Sequence, residues 1–173
     1  MEEFYRSLPK AELHLHLEGS LEPETLREID ASVNPEFARL MYQYADFRGF
    51  ISAYKWVLGL LRGPADYALA ARRLFERLAA DNVRYAEVTL SAGAALWLGR
   101  DVPAIYDAVA REAAQTTVDV WWVFDAVRQF GPEEAMKTAQ MAAERAGDRV
   151  VAFGIGGDES RGPAGEFAGV FRF

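Results

Sequence analysis

No cysteine occurs among the 173 residues, and histidine occurs only twice. The first absence excludes a disulfide framework and thiolate chemistry, and leaves His, Asp and Glu as the ligands for any metal site, a set that suits zinc or another borderline divalent ion. Long hydrophobic runs are also missing. The most apolar strand-like stretch is residues 120–124, far short of the ~20 residues a membrane-spanning helix needs. Positive charge is in deficit, since 19 Lys and Arg against 26 Asp and Glu give a formal charge of −7. That argues against a general binder of nucleic acid or of anionic membranes. The opening Met-Glu-Glu-Phe-Tyr-Arg-Ser has an early acidic pair and no apolar core, so it does not read as a secretory signal. A cytoplasmic location is the expectation. Apolar residues are plentiful at 51%, with 13% aromatics, enough to build a core rather than a disordered chain.

The two histidines stand together. In Glu12-Leu-His-Leu-His-Leu-Glu18 the residues alternate, with Leu13, Leu15 and Leu17 on one face and Glu12, His14, His16 and Glu18 on the other. Imidazoles and carboxylates bind divalent metals or move protons. His14 and His16, at i and i+2, point the same way and can hold one ion. A half-exposed strand with two solvated histidines has the same local pattern, and His-x-His alone does not separate the two. The flanks favour a site. Gly19 follows at once, where a strand must turn, and Ser20-Leu-Glu-Pro-Glu24 reads as a loop and helix start. The histidines therefore lie near the C-terminal end of a strand that feeds a helix, the end where parallel α/β folds place ligands.

Four strand-like segments, at residues 12–17, 83–90, 118–127 and 149–155, alternate with helical ones. Helices are expected at 23–30, 35–42, 47–61, 65–80, 103–116 and 132–146, several opened by a proline, with Leu69, Leu74, Phe75 and Leu78 on the apolar side of the fourth. A further helical pattern follows Pro163, with Phe167, Val170 and Phe171 on one face. Strand, proline-started helix, strand is the signature of βαβ units and a parallel sheet. Residues 23–62 are too many for a simple crossover and read as a helical insertion, a common place for a lid. The chain stops inside an apolar-periodic segment, and four strands are half of what a closed (β/α)₈ barrel of about 250 residues needs. Two readings stand at this point: a small open α/β domain, and a single partial domain over residues 1–173 that is the first half of such a barrel.

The run Leu8-Pro-Lys-Ala-Glu-Leu-His-Leu-His-Leu-Glu-Gly-Ser-Leu-Glu-Pro-Glu-Thr-Leu26 resembles the opening motif of the adenosine deaminase family. Tyr85-Ala-Glu-Val-Thr-Leu-Ser91 resembles that family's second strand, and Val150-Val-Ala-Phe-Gly-Ile-Gly-Gly-Asp-Glu159 its fourth. The resemblance implies a metal-dependent hydrolase (β/α)₈ barrel of the amidohydrolase superfamily, with one zinc ion and a purine nucleoside as substrate. By it, His14 and His16 match two zinc ligands, Glu18 a carboxylate on the sugar side of the substrate, and Gly157 the glycine whose backbone amide contacts the purine. Ser91 would line the pocket. The segment 46–61, with Phe47, Phe50, Tyr54, Trp56 and Leu60, would cover it, although core packing is the ordinary use of such residues.

The departures are equally specific. The family pattern needs a third zinc histidine followed closely by a catalytic glutamate, a further catalytic histidine and an Asp-Asp pair. None is present here, so no catalytic residue is assigned within this chain. Gly154 stands where the family's fourth strand often has an aspartate. Among subgroups, Ala86-Glu-Val-Thr-Leu-Ser-Ala-Gly93 and Phe124-Asp-Ala-Val-Arg-Gln-Phe-Gly131 resemble bacterial deaminases of 6-amino-6-deoxyfutalosine in menaquinone biosynthesis, with adenosine and adenine deaminases as close competitors. Three readings follow: part of a zinc-dependent aminohydrolase, inactive alone; a non-catalytic half-barrel that assembles with a partner or with itself through exposed sheet edges; and another His-x-His metallohydrolase.

Overall fold

The computed structural model describes residues 2–159 and 161–173. A short helix, α1 (Glu2–Ser7), leads into β1 (Lys10–His16). Three helices follow: α2 (Pro23–Ile29), α3 (Pro35–Met41) and α4 (Phe47–Leu60). Then come α5 (Pro64–Ala80), β2 (Val83–Leu90), α6 (Ala92–Trp97), α7 (Val102–Ala113), β3 (Asp119–Val127), α8 (Pro132–Glu144) and β4 (Val150–Gly156). The strands form one parallel sheet in the order β1-β2-β3-β4.

Local chemistry sets most helix starts. Proline opens α2, α3, α5 and α8, where its fixed φ suits the first turn and its missing N–H is not needed. Asn34, Asp46 and Asp101 each accept a backbone N–H at the start of α3, α4 and α7, at 2.8–2.9 Å. Burial then selects one face of each helix. On α5 the buried set is Tyr67, Ala70, Ala71, Leu74 and Phe75, spaced as one stripe. Leu69 and Leu78 flank that stripe and are only half-buried. Opposite it, α7 buries Ile105, Tyr106 and Val109, and the two helices cover Val88, Val120, Trp122 and Phe124 of the sheet. Each fully buried side chain of the Leu or Phe kind contributes about 1.5–3 kcal/mol.

Three features differ from the sequence reading. The helix α6 has no apolar period to announce it. Its buried residues are Ala92, Gly93, Ala94 and Ala95, small because the helix lies so close to β3. A Cβ on Gly93 would stand 2.9 Å from the Cα of Ala126. The segment after Pro163 is not an α-helix but two short 3₁₀ turns, Ala164–Phe167 and Val170–Arg172. Phe167 and Val170 are buried in a small second cluster with Ala135 and Ala139, while Phe171 stays exposed.

The third difference is in β1. Glu12 pairs with Ala86 and Leu15 with Val88, so three residues of β1 span two of β2. This bulge breaks the alternation. Glu12 stands opposite core-side Ala86, out of phase with His16, which stands opposite Thr89. Leu15 and Leu17 pack into the core as the alternation requires, but Leu13 is 62% exposed. An extra residue in one strand commonly re-aims a side chain beside a site.

Candidate active site

The C-terminal ends of the strands carry the chemistry. His14, within the bulge, and His16, just after it, have their Nε2 atoms 3.3 Å apart. Two ligands on one tetrahedral zinc, each at 2.0–2.1 Å, would be separated by about 3.3–3.4 Å. The pair therefore fits two of the positions around such an ion. Burial, and then the neighbouring His14, lower the pKa of His16, which favours the neutral imidazole that coordination needs. Among the described residues no cluster of three metal-binding side chains forms, so a donor set that included the two histidines would need further ligands.

Directly beyond His16 the strand ends, and Glu18 enters a 3₁₀ turn, Glu18–Ser20, with only 1% of its surface exposed. Both carboxylate oxygens are engaged. Oε1 accepts the backbone N–H of Ser91 at 2.9 Å, and Oε2 accepts the Tyr54 hydroxyl at 3.1 Å. The Ser91 hydroxyl lies 2.7 Å from the same Tyr54 oxygen. Burial pushes the Glu18 carboxyl up in pKa, against the pull of these hydrogen bonds. Tyr54 is held well above its ordinary range, by burial and then by the charge of Glu18. Glu18 and Ser91 thus share one buried network with a tyrosine of α4. The pattern of apolar residues in α4 could not single out Tyr54, because a hydroxyl partner two elements away leaves no local signal.

Across the sheet, β3 contributes a residue to which the sequence reading gave no role. Asp125 is 8% exposed, and its carboxyl lies over the two glycines of β4. A Cβ on Gly154 would be 3.1 Å from its Oδ1, and one on Gly156 2.6 Å from its Oδ2. The space above Gly154 is therefore filled by a carboxyl from the neighbouring strand. Burial, and then the charge of Glu18, raise Asp125 to about 7, against Arg128 and the backbone N–H of Gly156. One acid inside an otherwise apolar strand, Val-Trp-Trp-Val-Phe-Asp-Ala-Val127, was the available signal.

Gly157 follows β4 with φ +106°, a conformation that side chains other than glycine rarely adopt. A Cβ there would clash with Gln129 Oε1. Among the described residues neither Gln129 Oε1 nor Arg128 Nε, both buried, finds a hydrogen-bond partner. The strand order places Gly157 on the far side of β2 and β3 from the histidines. The structure thus brings His14 with His16, and Glu18 with Ser91. It leaves Gly157 beside Gln129.

Known proteins resemble this chain in sequence and in fold. The family model described as adenosine deaminase matches residues 9–172. An aminodeoxyfutalosine deaminase of Streptomyces avermitilis is 35% identical over 184 aligned residues, covering 97% of this chain and 51% of that protein. An adenine deaminase of Sinorhizobium fredii is 33% identical over 172 residues, covering 95% and 53%. Among solved structures, the adenine deaminase of Arthrobacter aurescens superposes with a TM-score of 0.81 at 24% identity, covering 94% of this chain and 53% of that one. An amidohydrolase from Burkholderia ambifaria with bound Zn gives 0.76 at 22% identity, covering 98% and 50%. The chain spans about half the length of the curated relatives it matches, and its four-stranded α/β fold corresponds to about half of a (β/α)₈ barrel.

Proposed function

The chain belongs to the adenosine deaminase family, and on that premise we propose that it forms part of a zinc-dependent hydrolytic deaminase acting on an adenine-containing nucleoside. The observation that carries the reading is the 3.3 Å approach of His14 and His16 Nε2 at the C-terminal end of the sheet. Family membership sets aside a different class of His-x-His hydrolase. Replacing an exocyclic amine on an aromatic ring with oxygen needs a stronger nucleophile than neutral water. A zinc ion held there would supply that nucleophile by lowering the pKa of water from 15.7 towards about 7.

The chain's own residues would act as follows. His14 and His16 serve as two neutral donors to the ion. Gly157, free of a side chain, presents its backbone amide to the purine. Ser91 and Asp125 wall the pocket between β2 and β4. Glu18, with both oxygens bonded to Ser91 and Tyr54, holds the pocket wall and would reach the sugar side of a substrate only by giving up one of these bonds. Ring protonation and uptake of a proton by the leaving amine need an acid and a base. With no histidine beyond residues 14 and 16, we assign neither to this chain. The 173 residues by themselves are expected to release negligible ammonia.

The substrate we favour is 6-amino-6-deoxyfutalosine, which would place the reaction in menaquinone synthesis. Support comes from the 35% identity to an aminodeoxyfutalosine deaminase, against 33–34% to adenine deaminases. Ammonia release from 6-amino-6-deoxyfutalosine, adenosine and adenine by the full translation product of the gene, with zinc supplied, tests the reading. Turnover of 1–10³ s⁻¹ on one of these substrates, lost in His16→Ala, is the expected result. Activity that survives His16→Ala would sink it.

A further inference from the structure

Tyr54 sits at the junction of three elements. It belongs to α4 (Phe47–Leu60), its hydroxyl contacts Glu18 just past β1, and the same hydroxyl contacts Ser91 at the end of β2. A phenol has one proton to donate. Since that proton goes to Glu18 Oε2, the Ser91 hydroxyl donates in the 2.7 Å contact. The Tyr54 ring stands edge-on to the His16 imidazole, at 85° and 6.3 Å between centroids. Gly19 lies between the two: a Cβ added there would be 3.5 Å from the Tyr54 ring and 3.6 Å from His16 Cβ. On its other side the ring meets Phe50, which meets Phe47 and Tyr44. One side chain therefore joins the aromatic row of α4 to the strand that carries the histidines.

We propose that Tyr54 is a positioning residue for the histidine pair: its hydroxyl, clamped between Glu18 and Ser91, seats α4 on the ends of β1 and β2 and fixes the ring that packs against His16. This rests on the reading that the pair binds a divalent ion. The clamp holds Tyr54 by two hydrogen bonds in a buried place, where losing one leaves a polar group unpaired. The ring then limits the orientations open to His16, whose neighbour His14 is exposed. Hydrogen-bonded partners that orient a ligating imidazole are worth about 10–100-fold in metal affinity, and a packed ring restricts the same orientation.

The test uses the full translation product of the gene, with zinc supplied, and Tyr54→Phe, which keeps the ring and removes the hydroxyl. The imidazole signals of His14 and His16 are read by ¹⁵N NMR, and His14→Asn and His16→Asn assign them. Tyr54→Phe is expected to shift the His16 signals, to weaken zinc binding by about tenfold, and to speed amide exchange in α4 by about tenfold relative to β2. Ser91→Ala removes the other half of the clamp and should reproduce these changes, and the double variant should add little to either one. Should Tyr54→Phe fail to fold, Ser91→Ala carries the same readouts. Unchanged α4 exchange, or faster exchange with His16 signals left in place, overturns the proposal. Absence of any zinc-induced shift on either histidine of the unmutated chain would defeat the metal reading alone, and the exchange and ring-signal measurements would still decide the role of Tyr54.

Discussion

Asp125 and Gly156 are complementary: a single methyl on Gly156 would stand 2.6 Å from Asp125 Oδ2, closer than real Cβ contacts come. The same carboxyl accepts the backbone N–H of Gly156. A strand-three acid has been accommodated by clearing side chains from strand four.

Gly156→Ala should therefore destabilise the fold by about 1–3 kcal/mol through overpacking. In an Asp125→Ala background the same substitution should cost less, because the clashing oxygen is gone. A double-mutant cycle by urea denaturation measures the coupling. Additive effects would show that the two residues do not meet.

The pH dependence of stability follows from the raised Asp125, with its sign opposite to that of a salt-bridged aspartate. Its folded value is about 7 against an ordinary 3.8. Between these values the folded chain holds a proton that the unfolded chain has released, so stability falls as pH rises from about 4 to 7 and is flat in this contribution above 7. The full span is on the order of 4 kcal/mol. Asp125→Asn keeps an acceptor for Gly156 N–H and should remove most of the slope. Glu18, also raised, leaves a residual slope of the same sign. Melting temperatures at pH 5 and pH 8 for both proteins check this. An equal pH response in the two would mean that Asp125 titrates normally.

The sheet has two edges among the described residues, β1 and β4. On them Leu13 is 62% exposed and Val151 49% exposed. No proline or lysine lies within Val-Val-Ala-Phe-Gly-Ile-Gly156 to block pairing. We expect the 173-residue chain to self-associate. Sedimentation velocity at micromolar concentration decides it, and a single monomeric species with cooperative thermal unfolding would refute it.

Gly157→Ala meets two obstacles, φ +106° and Gln129 Oε1. Removing the second with Gln129→Ala should recover only part of the lost stability, leaving about 1–2 kcal/mol for the left-handed backbone. Full recovery in the double variant would show that sterics alone require glycine.

Much of the fold was legible. The span of β2, 83–90, and helix starts at Pro23, Pro35 and Pro132 follow from apolar periods and from proline and capping chemistry, which act over a few residues. The elements that were misread lack such signals. An alanine helix, α6, is shaped by the close approach of β3 rather than by a period of its own. After Pro163 the spacing of Phe167 and Val170 looked helical, but the chain settles into 3₁₀ turns that bury those two residues and leave Phe171 out.

Within the site the same division holds. Two histidines at i and i+2, a glycine to end the strand and a long match to family motifs are properties of the chain in order, and they pointed to the histidine pair and to the family. The bulge that frees Leu13, the clamp of Tyr54 between Glu18 and Ser91, and the lodging of Asp125 over Gly154 and Gly156 join residues 29 to 74 positions apart. Strand register and burial decide those contacts, because a hydrogen bond or a clash depends on distance in space, and sequence spacing carries no measure of it.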